Sequence, residues 1–105
     1  EKNEIAKIIL LDNKNVILKI KDVAIGGNNF VAIGMKEILS EAVKINAPKI
    51  VLVHNHPSGN SEPSKDDIIS TKKICEAGQL IGITVLDHII IGDKSFTSLN
   101  ALGII

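Results

Sequence analysis

Residues 50–67 read IVLVHNHPSGNSEPSKDD, and this stretch determines the plan of the fold. It opens on a continuous apolar run, residues 50–53, which is typical of a strand buried on both faces. A polar loop rich in Pro, Gly, Ser and Asn follows and extends to Pro63. Ser64 then stands at an N-cap position, with two acidic residues in the first turn of a predicted helix. The stretch therefore predicts a strand that ends at a histidine, followed by a long loop and then by a capped helix.

The segment before this stretch predicts a helix preceded by a β-hairpin. Apolar residues recur at helical spacing across residues 35–46, and Ala47-Pro48 would end that helix. Its other face would carry polar side chains, namely Lys36, Glu37, Ser40, Glu41 and Lys44. Two β-prone runs, residues 5–11 and 16–21, flank the turn-forming sequence Asp-Asn-Lys-Asn and predict the hairpin. A third short run, residues 23–25, is a candidate edge strand before a Gly-Gly-Asn-Asn loop.

The segment after this stretch predicts the rest of a mixed sheet. The capped helix would end near Gly78 and would bury Cys75 as a small residue on its apolar face. Two strands follow, at about residues 81–86 and 88–91, and residues 95–98 form a candidate short edge strand. A chain of 105 residues accommodates one such domain. The predicted fold is therefore α/β, with at least two helices packed on a mixed sheet.

The composition argues against several classes of function. Twelve basic residues, all of them Lys, balance twelve acidic ones, so no net charge attracts nucleic acid or a membrane. The sequence has no Arg, the side chain that usually recognises guanine and phosphate, although this does not exclude nucleic-acid binding by a local patch of Lys. The single cysteine rules out an internal disulfide and a Cys-rich zinc site, and it favours a reducing, cytoplasmic setting. No apolar run approaches the ~20 residues of a membrane span and no export signal stands at the start, so we expect no membrane partner.

His54 and His56 are the main candidates for chemistry, although a single histidine is more often a satisfied core or surface residue than a ligand. They lie two apart at the exit of a strand, so in an extended chain both imidazoles point to one side. Asp67, eleven residues beyond His56, falls in the first turn of the helix, and the loop is long enough to return that turn over the strand end. Two imidazoles and one carboxylate suit an open zinc site, because three protein ligands leave one tetrahedral position for water.

Residues 54–67 resemble the signature of the JAMM family of zinc metallohydrolases, which is His-x-His, seven residues, Ser, two residues, Asp. The form HNHPSG at residues 54–59 is similar to the RadC-like branch of that family. The early strand, residues 4–12, and LDHIIIG at residues 86–92 stand where RadC-like domains have similar segments. The resemblance implies that residues 1–105 form a three-layer-like mixed sheet flanked by helices, a JAMM or cytidine-deaminase-like architecture. It also implies that the chain is the C-terminal domain of a longer protein.

The resemblance implies a role for each residue of the signature. His54, His56 and Asp67 would bind one Zn²⁺ ion per chain, and Ser64 would help to hold the oxyanion or the bound water. Ser64 has a simpler interpretation as an N-cap alone, and both roles can hold at once. His88 matches a histidine of the same family segment, and we expect it to support the site or the fold rather than bind the metal directly.

JAMM enzymes also use a glutamate from an early strand, which takes a proton from the attacking water and passes it to the leaving nitrogen. Glu4 is the best match, because it lies eight residues before Asp12, where RadC-like chains carry their early glutamate. Glu37, Glu62 and Glu1 remain alternatives. Glu37 has the simpler interpretation of a solvated helix face.

The function implied by the resemblance is hydrolysis of a peptide or isopeptide amide bond by a zinc-activated water, in an unknown peptide or protein substrate. The alternative is a non-catalytic module of the RadC family that binds protein or associates with DNA, in keeping with the family's association with DNA repair. A purely structural zinc normally has four protein ligands, which argues against that alternative. A homodimer could form through the last edge strand.

Overall fold

The computed structural model describes residues 5–23 and 30–105, with the side chains of residues 30–34 excepted. In chain order the elements are β1 (Ala6–Leu11), β2 (Ile17–Val23), α1 (Phe30–Lys44), β3 (Lys49–Asn55), α2 (Lys65–Leu80), β4 (Thr84–Ile91) and β5 (Phe96–Ser98). Among these described residues, no helix is long and apolar enough to cross a membrane.

The described strands form one mixed sheet in the order β2-β1-β3-β4-β5. β1 pairs antiparallel with β2 on one side and with β3 on the other, and β5 pairs antiparallel with β4. β3 and β4 are parallel neighbours joined through α2, so their C-terminal ends meet at the same edge of the sheet. The predicted α/β fold with helices on a mixed sheet is confirmed.

The core lies on the face of the sheet against which both helices pack. Alternate residues of β3 are buried, and Ile50 and Leu52 join Ile38 of α1 and Ile74 of α2 in one cluster. The residues of β3 on the other face are only partly buried, although the continuous apolar run predicted burial on both faces. Because side chains alternate along a strand, His54 follows Leu52 onto the core face and therefore points toward α2.

The first hairpin is confirmed, and its turn is held by a single aspartate. Asp12 Oδ1 accepts hydrogen bonds from the backbone N–H of Lys14 at 2.8 Å and of Val16 at 3.0 Å. Asn15 adopts a left-handed backbone, with φ of 65°. Of the candidate third run, Val23 is the last residue of β2, and residues 24 and 25 lie outside the described part of the chain.

The first helix is longer at its start than the apolar spacing predicted. It begins at Phe30 rather than residue 35 and ends at Lys44 rather than residue 46. Asn46 has a φ of 58°, a left-handed conformation that ends helices, so the stop comes before the Ala47-Pro48 pair.

The second helix continues through Gly78 to Leu80, so the prediction that it ends near Gly78 was two residues short. Gly78 is required by packing: a Cβ at this position would lie 2.6 Å from the carbonyl oxygen of Ile83. The left-handed turn falls instead at Gly82, with φ of 80°.

The two strands predicted at residues 81–86 and 88–91 are in fact one strand, β4. The pairing with β3 shifts by one residue, since Ile50 pairs with Val85 and Val51 pairs with Asp87, which leaves Leu86 as a bulge. Asp87 stays within the strand because its carboxylate is satisfied locally, accepting from the backbone N–H of His88 at 2.7 Å and the hydroxyl of Ser98 at 2.6 Å.

Cys75 is only partly buried, which corrects the prediction of a small buried residue. It borders a surface cavity together with Ile83, Val85 and Ile104, so one side of the thiol meets open space rather than packed core. Burial is still sufficient to raise the pKa of the Cys75 thiol, and the nearby carboxylate of Glu76 adds to this increase.

Glu41 is buried, although the helical spacing predicted it on the polar face of α1. Only 4% of its surface is exposed, because β2 lies against this part of the helix. Lys21 donates a hydrogen bond to Glu41 Oε2 at 2.7 Å, and the ammonium groups of Lys44 and Lys19 lie within 3.5 Å and 3.6 Å of its carboxylate. The hydrogen bond from Lys21 is the largest cause that lowers the pKa of Glu41, from 4.5 to about 2, despite its burial.

We expect Glu41→Gln to lower the melting temperature at neutral pH and to reduce the acid sensitivity of the fold. The pKa is depressed in the folded chain, so the stabilisation by Glu41 is complete above about pH 4.5 and is lost as the pH falls toward 2. Thermal unfolding followed by circular dichroism across this range measures the effect. Glu37→Gln, an exposed change on the same helix, is the control. An acid profile for Glu41→Gln that matches the unaltered chain would contradict the prediction.

Candidate metal centre

Two elements bring the three signature side chains together at one edge of the sheet. β3 supplies His54 and is followed at once by His56, while the first turn of α2 supplies Asp67. His54 Nε2 lies 3.4 Å from Asp67 Oδ1, and His56 Nε2 lies 2.9 Å from Asp67 Oδ2. One ligand atom from each residue can be chosen so that all three lie within 4.8 Å of one another. The strand, the loop and the helix therefore form a group able to hold a metal ion.

The loop that carries His56 is tied to the end of β4. The backbone N–H of His56 donates to the carbonyl of Ile91 at 2.9 Å, and the N–H of Asp93 donates to the carbonyl of Gly59 at 2.8 Å. Gly59 has a φ of 87°, a left-handed conformation that favours glycine. These backbone bonds hold the loop across the sheet edge and so position the His56 ring.

Ser64 and Asp67 form a capping box at the start of α2. Ser64 Oγ accepts from the backbone N–H of Asp67 at 3.0 Å, and Asp67 Oδ2 accepts from the backbone N–H of Ser64 at 2.9 Å. The N-cap prediction for Ser64 is confirmed. The same bonds orient the Asp67 carboxylate toward the histidines, so capping the helix also arranges the site.

Asp67 keeps its charge in this environment. Burial alone would raise the pKa of its carboxyl, but the nearby His54 ring and the hydrogen bond from the Ser64 backbone outweigh burial and hold that pKa well below its usual range. A carboxylate at this position is therefore available to a cation throughout the neutral pH range.

The chemistry of the His56 contacts fits a metal ion. His56 Nδ1 lies 2.9 Å from the carbonyl oxygen of Asn60, and a carbonyl only accepts, so Nδ1 carries the proton. In the neutral ring, Nε2 then presents a lone pair to Asp67 Oδ2 at 2.9 Å. Two acceptors facing each other at this distance require a proton or a cation between them. Imidazole nitrogens with one carboxylate oxygen are ligands that zinc takes in open sites.

His88 lies behind His54 rather than beside the other two signature residues. Its side chain is fully buried, its Nε2 is 2.7 Å from His54 Nδ1, and its Nδ1 is 2.6 Å from Thr71 Oγ1. Burial is the main cause that lowers the pKa of His88 to about 3, with the neighbouring His54 adding to the effect, so the ring is neutral at pH 7. This position agrees with a supporting role for His88.

Thr71 is a part of this arrangement that the sequence analysis missed. Its hydroxyl donates to the backbone carbonyl of Asp67 at 2.6 Å, in addition to its contact with His88. The available signal was its spacing, because a residue four positions after Asp67 lies on the same face of α2. Spacing alone did not distinguish it from other polar residues of the helix.

Of the four candidate glutamates, the structure describes Glu37 and Glu62. Glu4 and Glu1 lie outside the described residues. Glu37 is exposed on α1 and Glu62 is exposed in the loop, and neither belongs to the group of side chains that could hold a metal within the described part of the chain. Ile5, the residue after Glu4, exchanges hydrogen bonds with Asn55: its backbone N–H donates to the Asn55 side chain, and its carbonyl accepts from the Asn55 N–H at 3.2 Å.

A mixed five-stranded sheet with two helices among the described residues, and a His-His-Asp group at the strand edge, is consistent with a JAB/MPN-like domain with a candidate metal centre. The family model of the RadC-like JAB domain matches residues 1–104, and the chain belongs to that family.

The chain is similar to bacterial proteins that carry the designation UPF0758. A UPF0758 protein of Clostridium tetani is 48% identical over 104 residues, which is 99% of this chain and 46% of the relative. A UPF0758 protein of Desulforamulus reducens is 47% identical over 97 residues, which is 92% of this chain and 43% of the relative. The chain thus spans less than half the length of the curated relatives it matches. That it is a C-terminal domain stays a prediction.

Proposed function

We propose that this chain is a zinc-dependent metallohydrolase that cleaves a peptide or isopeptide amide bond. The observation that supports this most strongly is that His54, His56 and Asp67 come together at one edge of the sheet, where His56 is partly exposed. Three protein ligands leave one tetrahedral position, which is the arrangement of catalytic rather than structural zinc. The name of the matched family, the RadC-like JAB domain, supports the same class of chemistry.

Zinc bound at this site would supply a Lewis acid for the substrate carbonyl and would lower the pKa of a bound water to about 7. The chain itself would orient the reactants. Ser64 Oγ already accepts from the Asp67 N–H, so its own proton remains available to donate to the oxyanion of the tetrahedral intermediate. Ser64 is exposed, as a residue that contacts substrate must be.

Glu4 is the proposed general base and acid, which takes the proton from the attacking water and delivers it to the leaving nitrogen. The support for this role of Glu4 comes from the contacts of the next residue in the chain. Ile5 is hydrogen-bonded through its backbone to Asn55, the residue between the two candidate zinc ligands. The strand that follows Glu4 thus lies next to the strand that ends in the metal group.

The test is hydrolysis by zinc-loaded protein of a panel of unstructured peptides and of ubiquitin-like proteins joined through isopeptide bonds. Glu4→Gln should lower the rate by about 100-fold or more, the usual range for loss of a general base, while zinc content stays unchanged. Glu37→Gln, an exposed glutamate on α1, is the control and should retain full activity. Full activity in Glu4→Gln would remove Glu4 from the mechanism. A zinc-loaded chain that cleaves nothing in the panel would favour the non-catalytic binding module.

A further inference from the structure

Three buried groups form a chain of hydrogen bonds that ends on His54. The hydroxyl of Thr71 lies 2.6 Å from both the carbonyl of Asp67 and Nδ1 of His88. Nε2 of His88 in turn lies 2.7 Å from Nδ1 of His54. Thr71 and the His88 side chain are completely buried, and His88 is held in register beside Leu52 of β3. The three side chains therefore lie within hydrogen-bond distance of one another inside the core.

The backbone carbonyl sets the direction of the hydrogen bonds. A carbonyl only accepts, so the single hydroxyl proton of Thr71 is donated to Asp67, and the Thr71 oxygen accepts from His88 Nδ1–H. The neutral His88 ring then has no proton on Nε2, which accepts from His54 Nδ1–H. A neutral His54 with its proton on Nδ1 carries the lone pair on Nε2, the atom that lies 3.4 Å from Asp67 Oδ1.

We propose that Thr71 and His88 are positioning residues that hold His54 in the Nδ1–H tautomer, so that its Nε2 lone pair faces the metal site. The role that we give to Thr71 and His88 rests on the proposed metal centre, whereas the hydrogen bonds themselves do not depend on it. The reversed arrangement, in which Thr71 donates to His88, would place a proton on Nε2 of His54 and block that atom as a ligand. The direction of three hydrogen bonds thus determines whether His54 is ready to bind.

The test uses a pair of substitutions that differ in one hydroxyl. Thr71→Val removes the acceptor for His88 Nδ1–H, whereas Thr71→Ser retains it. Long-range ¹H–¹⁵N correlation spectra of the metal-free chain report the tautomer of each histidine ring directly. We expect His54 to be the Nδ1–H tautomer in the unaltered chain and in Thr71→Ser, and a mixture of tautomers in Thr71→Val.

Zinc affinity, measured by competition with a chromophoric chelator, is the second readout. Loss of a partner that orients a ligand costs about 10–100-fold in affinity, so Thr71→Val should bind zinc at least about 10-fold more weakly and Thr71→Ser as tightly as the unaltered chain. A purely structural role for Thr71 would lower the melting temperature without moving the His54 tautomer.

The two readouts separate this inference from the proposed function. A pure Nδ1–H tautomer for His54 in Thr71→Val, with unchanged zinc affinity, overturns the positioning role even if the chain binds zinc. Failure of the unaltered chain to bind zinc overturns the proposed metallohydrolase, whereas the tautomers of the metal-free chain still test the hydrogen-bond chain on its own. If Thr71→Val does not fold, His54 in the Nε2–H form in the unaltered chain still overturns the inference.

Discussion

Asp67→Asn and His56→Ala should each abolish stoichiometric zinc binding, while the unaltered chain, purified without chelator, should carry about one zinc ion. Each change removes one of the three candidate ligands found among the described residues, so the loss in affinity should exceed the about 10–100-fold that partners outside the ligand set cost. Asp67→Asn is the sharper variant, because an Asn side chain can still accept from the Ser64 N–H and so maintain half of the capping box.

Elemental analysis of the purified chains measures this directly. Asp66→Asn is the matched control, since Asp66 is an exposed carboxylate in the same first turn of α2 and makes no part of the candidate metal group. It should keep its zinc. Zinc that persists in both Asp67→Asn and His56→Ala, or that is missing from the unaltered chain, would contradict the site.

Gly92→Ala should cause a loss of folding stability of about 2–3 kcal/mol, because the new Cβ has no room. It would overlap the carbonyl oxygen of Gly59 and lie 2.8 Å from the backbone nitrogen of Ser61. Both atoms belong to the loop that carries His56, and backbone atoms cannot rotate away as the end of a side chain can. The loop would have to separate from β4.

Denaturant unfolding of the metal-free chain measures the loss, and Gly82→Ala is the matched control. Gly82 has a φ of 80° but no atom near its missing Cβ, so alanine there costs only the left-handed backbone strain of about 1–2 kcal/mol. Zinc affinity should fall in Gly92→Ala and stay unchanged in Gly82→Ala. Equal effects of the two substitutions on folding stability and on zinc affinity would show that the close approach of Gly92 to the loop does not stabilise the fold.

The meeting of the three candidate ligands was easier to predict than the ends of the elements. His54, His56 and Asp67 were selected from their residue types, from their placement at a strand exit and a helix N-terminus, which are local features, and from the resemblance to the JAMM signature. Element ends were less predictable, since α1 begins five residues earlier than the apolar spacing indicated. The helical pattern weakens where residues such as Gly34 interrupt it.

Asp87 illustrates why pairing between strands is harder to read. Two strands were predicted, one on each side of Asp87, yet β4 is continuous through this residue. The bulge at Leu86 depends on pairing with β3, and one of the hydrogen bonds that satisfy the carboxylate comes from Ser98 on the neighbouring strand β5. No local pattern encodes such partners.

By itself, the sequence determined the hairpin turn at Asp12, the capped start of α2 and the three candidate metal ligands, because each depends on residues within about one loop of one another along the chain. The tertiary structure alone decided that Glu41 is buried under lysines of β2 and that Thr71 reaches His54 through His88. Those contacts join residues up to 34 positions apart, and they form only when the helices pack on the sheet. The candidate ligands can be identified from local sequence, whereas the hydrogen bonds that we propose to set the tautomer of His54 depend on packing.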